Sequence, residues 1–126
     1  MCHQSVSLIA RHLEQQGLPT VVMGCARDIV EHAGVARLWW SDFPLGHSAG
    51  KPHDPKSQLE TVEGALSLID SASQARTTAV SDQVWSSSDA WKADFMSTAH
   101  FTPEKIAAMQ AQHEQDRAEA ARLKQS

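Results

Sequence analysis

The sequence predicts an α/β fold with a partial, open parallel sheet, and three observations carry that reading. Two short runs rich in β-branched or aromatic residues, at 20–23 and 36–43, are separated by a helical segment. Helical spacing precedes the first run and resumes after the second. Each run ends in a glycine- or proline-bearing turn.

Taken in order, residues 5–16 carry Val6, Ile9, Ala10 and Leu13 at the spacing of one helical face, which is expected to pack inward. Gly17 stops that helix and Pro19 opposes a restart. Thr20-Val21-Val22-Met23 reads as a strand buried on both faces. Residues 26–32 form a second helix with Ile29 and Val30 on its apolar side, ended by Gly34. The second strand spans residues 36–43, where Trp39 and Trp40 alternate, one toward the core and one under a helix. Helix between the two strands makes them parallel.

Residues 43–55 hold three prolines and two glycines, the composition of an ordered loop. Helical spacing returns over 56–73, with Leu59, Val62, Leu66 and Ile69 in one stripe. The α/β core is expected to occupy residues 1–75. Residues 76–126 form a C-terminal extension in which Ser87-Ser88-Asp89 caps a short helix through Met96 and Thr102-Pro103-Glu104 caps a last one. From Gln110 onward that last helix is polar and reads as solvated helix fading into a tail.

The order starts on a helix, so the first strand of a flavodoxin-like or Rossmann-like three-layer domain is missing. The chain reads as the end of a longer domain, as one completed by a partner or a later segment, or as one whose start codon is misassigned.

At 126 residues and 41% apolar content there is enough chain for one core. A net charge of -4, without a lysine or arginine cluster, argues against nucleic acid as a partner. No apolar run is long enough to cross a bilayer, and a secretory leader is absent from the start, so a cytoplasmic location is expected. Two cysteines make no disulfide framework.

In an open parallel sheet ligands bind outside the carboxyl ends of the strands. Three segments share that edge here: Cys2-His3-Gln4, residues 24–28, and residues 42–54. Cys2 heads a helix, where unpaired N–H groups and the macrodipole favour an anion. His3 is placed to activate it or carry a proton, and Gln4 to hydrogen-bond a carboxylate or thiolate. The bland alternative is a frayed helix cap. Cys25 heads the second helix, either facing Cys2 or serving as a small buried hydrophobe. Gly46 and Gly50 permit close backbone approach to a ligand, and Lys51 supplies a cation for a carboxylate or phosphate, with a plain structural loop as the alternative. His47, His53 and Asp54 lack the spacing of a transition-metal site, so no metal or other cofactor is expected.

The segments CHQSVSLIARHLEQQGLPTVV, ARDIVEHAGVARLWWSDFPLGHSAGKPHD and DAWKADFM resemble the C-terminal part of the selenoprotein B family of glycine/sarcosine/betaine reductases and their D-proline reductase relatives. The resemblance runs through roughly four-fifths of the chain, and its specific parts are the Cys-His-Gln and Phe-Pro-Leu-Gly…Gly-Lys-Pro blocks. It implies a cysteine-only homologue with an oxidoreductase role: reductive C–N cleavage of a small amine or amino acid, with separate redox protein partners. On that footing Cys2 is the nucleophile and His3 its proton carrier. Gln4, Cys25, Gly46, His47, Gly50 and Lys51 are then the substrate-binding groups. The competing expectation is a non-catalytic α/β binding or assembly module that self-associates through an exposed sheet edge.

Overall fold

A computed structural model describes residues 1–94 and 101–123. The element order is α1 (Cys2–Gln15), β1 (Val22–Gly24), α2 (Arg27–Ala33), β2 (Arg37–Trp40), α3 (Pro55–Ser71), β3 (Thr77–Val80), α4 (Ala90–Asp94) and α5 (Pro103–Leu123). The three strands form one parallel sheet in the order β1-β2-β3. The expected α/β class with an open parallel sheet and a helical C-terminal segment is therefore what the chain adopts.

Parallel pairing sets Val22 beside Leu38 and Gly24 beside Trp40, so these four residues share one face of the sheet. On that face Ala10 of α1 and Val30 of α2 meet Val22, Leu38 and Val35 in a small core, with Trp40 packed against it. Val22, Val30 and Leu38 are buried almost completely, and each such side chain contributes about 1.5–3 kcal/mol. Trp39 points to the opposite face. A Cβ at Gly64 would run into its indole, so α3 lies on that side and uses a glycine to approach the ring. Helices on both faces make three layers.

Three expectations change. The core does not close at residue 75: Thr77–Val80 is a third strand, and the first compact unit runs from Met1 to Asp89. The apolar stripe of α1 does not face inward as a whole, because Ser7 and Ala10 are buried while Val6 and Ile9 are exposed. In α3 the inversion is stronger. Ser57, Thr61, Ala65 and Leu68 are buried, whereas Leu59 and Leu66 are each 57% exposed.

Two of the buried hydroxyls on these helices bond back within the helix. The Ser7 hydroxyl donates to the His3 carbonyl at 2.6 Å and Thr61 to the Ser57 carbonyl at 2.8 Å, one turn back in each case. A polar residue so bonded packs against a sheet without leaving an unmade hydrogen bond.

The second compact unit begins at Ala90. Thr102 caps α5, its hydroxyl accepting from the Lys105 N–H at 3.4 Å. Helix α5 continues through Leu123 with its described side chains exposed, Ile106 and Met109 included. Phe95 and Met96, expected in the short helix, and the last three residues of the expected tail lie outside the described residues. Among the described residues no helix is long and apolar enough to cross a membrane.

Candidate functional site

The three segments expected at the carboxyl edge of the sheet do meet there. Nε2 of His3 accepts hydrogen bonds from the backbone N–H of Cys25 at 3.1 Å and of Ala26 at 3.3 Å, which ties the head of α1 to the turn between β1 and α2. The Cys25 sulfur lies 3.7 Å from the Ser48 hydroxyl, which brings in the loop after β2. Gly24 lies under this convergence: a Cβ there would stand 3.3 Å from the His3 ring and 3.4 Å from Leu38 and Val30, so the packing around it is close.

Cys2 is exposed in the first turn of α1, and no side chain caps that helix at Met1. His3 is half-buried. Because its Nε2 takes two N–H donors, Nε2 is the acceptor nitrogen, and Nδ1 is the one left to carry the proton. Its observed work is to cap the start of α2, whose N-cap Ala26 has no side chain able to do so. Gln4 is exposed and borders a groove between α1 and α2 of about 590 Å³, with Leu8, Asp28, Ile29, His32 and Ala33.

Cys25 is half-buried, and that burial pushes its thiol up. Hydrogen bonds from Ser48 and from the backbone of His47 and Phe43 oppose the rise, and the Asp42 carboxylate adds to it. A neutral, sheltered thiol is the result.

From Gly50 to Asp54 the loop after β2 is anchored rather than open. Gly50 has φ +101° and is buried, and a Cβ there would come within 2.7 Å of the Gln58 backbone. The close approach foreseen for a ligand is thus made by α3 itself. Around Lys51 the backbone N–H donates to the Ser57 hydroxyl at 3.0 Å, and the carbonyl accepts from Gln58 at 2.9 Å. Asp54 caps α3 by accepting the Ser57 N–H, with Pro55 at the first helical position. The His47 ring packs on Trp85 at 4.8 Å, and of the two loop glycines Gly46 is the one with open space around it. His53 is exposed with φ +56°, and among the described residues no group of three or more His, Cys, Asp or Glu is placed to hold a metal ion.

Sequence reasoning missed Gln83 and Trp85. The Gln83 side chain accepts from the Ser57 hydroxyl and donates to the Ser57 carbonyl and the Thr61 hydroxyl. Trp85 stacks obliquely on Phe43 at 5.3 Å. Their only trace in the sequence is a large aromatic residue in an otherwise polar stretch.

No family model matches the chain, and no solved structure matches it. Among curated proteins it is similar to the D-proline reductase subunit gamma of Acetoanaerobium sticklandii, at 32% identity over 68 residues, or 54% of this chain. The chain spans 28% of that relative's length. In sequence, the chain is distantly and partially similar to a reductase component.

Proposed function

We propose that this chain is a thiol-dependent component of an amino-acid reductase-type system. Its role is to present Cys2 at the strand-end edge during reductive C–N cleavage of a small amine or amino acid. The observation that carries the proposal is the convergence of Cys2-His3-Gln4, the β1–α2 turn and the 43–48 loop at one edge, in a chain partially similar to a D-proline reductase subunit. Cys2 is the nucleophile: its thiolate attacks the substrate carbon as the C–N bond breaks and the amine leaves protonated. A thiolate of a dithiol redox partner then attacks the Cys2 sulfur, so that the C–S bond breaks and the carbon leaves with a proton. The partner's second thiol resolves the mixed disulfide, the dithiol having supplied the two electrons. Gln4 and the 43–54 loop supply the binding surface. His3 acts as a positioning residue, because its Nε2 is engaged by two backbone donors.

Residue-resolved alkylation with iodoacetamide at pH 7 tests this reading. Cys2 is expected to react faster than a model thiol, as a thiol at a helix head does. A Cys2 that reacts no faster ends the proposal.

A second reading, a non-catalytic assembly module, is favoured by the exposed stripe of Leu59, Val62 and Leu66 on α3. Self-association in gel filtration, together with an ordinary Cys2, selects it.

A further inference from the structure

The 43–48 loop and the segment after β3 have a relationship that neither reading above uses. Cys25 is the first residue after β1, and its backbone is fixed from one side by the Trp40 indole, which donates to the Cys25 carbonyl at 2.8 Å. From the other side its sulfur is covered by the loop, with the Ser48 hydroxyl at 3.7 Å and the backbone of Phe43 and His47 alongside. Within itself the loop is lightly held: the N–H and Nδ1 of His47 both reach the Pro44 carbonyl, at 3.2 and 3.3 Å, and nothing lies within 4 Å of where a Gly46 Cβ would be.

What clamps the loop from outside is Trp85. Its ring meets Phe43 at 5.3 Å and 60°, and His47 at 4.8 Å and 55°. The segment that carries it is secured at its start, where the Ser81 N–H donates to the Trp40 carbonyl at 2.8 Å. Midway, Gln83 grips Ser57 and Thr61 of α3. Asp82 and Val84, the alternate residues, are exposed, as are residues 86–89 that follow. One short stretch therefore holds α3 with one side chain and the loop with another.

We propose that residues 81–85 are a strap that keeps the loop after β2 closed over the Cys25 sulfur, so that Cys25 is a latent thiol uncovered when Trp85 leaves Phe43 and His47. In the closed state the half-buried thiol is held protonated and partly covered, and opening returns it to solvent. This device stands apart from the Cys2 reading, and either can fail without the other.

Iodoacetamide alkylation of the full-length chain, followed residue by residue by mass spectrometry, reads the latch with Cys2 as the internal reference. Trp85→Ala is expected to speed Cys25 about tenfold, the effect of losing two ring contacts, with Cys2 unchanged. Trp85→Phe keeps Cys25 slow, and His47→Ala, which removes one of the two contacts, gives a rise of about threefold. A wild-type Cys25 rate in a folded Trp85→Ala protein overturns the proposal. If Trp85→Ala instead loses its far-UV signal, His47→Ala decides: a rise supports the strap and a wild-type rate refutes it.

Discussion

Replacing His3 by alanine separates two roles that the sequence alone leaves merged. In the structure the ring accepts two backbone N–H groups, from Cys25 and Ala26, both half-buried, and packs over Gly24. Truncation leaves both donors without their partner. Each such net hydrogen bond is worth about 1 kcal/mol, so His3→Ala should destabilise the first compact unit by about 2 kcal/mol. Core contacts through Ala10 and the Glu14 anchor at the other end of α1 survive, so the unit should remain folded. For a folding unit of this size the loss corresponds to a Tm lowered by about 10 °C, and to a lower urea midpoint at constant slope. Urea titration followed by far-UV circular dichroism measures both. A His3→Ala protein within about 0.3 kcal/mol of wild type shows that the two bonds do not hold the unit together in solution.

Two further outcomes follow from the same packing. Gly64→Ala sets a methyl group into the Trp39 indole; the helix gains about 1 kcal/mol of propensity but overpacking takes back more, for a net loss of about 1–2 kcal/mol of stability, read by urea titration. A neutral or stabilised variant would mean that Trp39 yields without strain. At Glu14, burial works against the charge, but the Thr20 N–H and hydroxyl and the Arg37 guanidinium hold the carboxyl below its ordinary value of 4.5. A group lowered in the folded state contributes stability that is present above its unfolded pKa and is lost as pH falls through the folded one. Wild type should therefore lose about 1 kcal/mol more than Glu14→Gln on acidification from pH 5 to pH 3, and equal slopes in the two proteins would contradict the assignment.

Elements were legible from the sequence to a degree that faces were not. Periodicity and β-branched runs locate α1, β1, α2, β2 and α3 within a few residues, and the strand-end rule brings Cys2-His3-Gln4, Cys25 and the 43–54 loop to one edge. Periodicity failed to say which side of α1 and α3 meets the sheet. A helix crossing Trp39 needs small residues, and Ser57, Thr61, Gly64 and Ala65 supply them; the hydroxyls, bonded within the helix or to Gln83, enter the interior without the penalty that a polarity scale assigns them. Strand β3 went unseen because Thr77-Thr78-Ala79-Val80 is only half-buried at an edge, and carries no strong apolar signal. Gln83 and Trp85 escaped for a different reason. Their partners lie more than twenty residues away, and no local pattern encodes such pairings.

Gly50 bears on how this chain can vary in length. With its backbone pressed on Gln58 it marks a fixed point in the loop, and beyond it Lys51 and Asp54 both bond the first turn of α3. Insertions and deletions between Gly50 and Asp54 would shift that turn along the sheet. At Gly46, where space is open, extra residues would project outward and leave the register of α3 untouched. Natural or engineered lengthening of this loop should therefore fall on its Gly46 side, which makes that side the place to graft a reporter peptide.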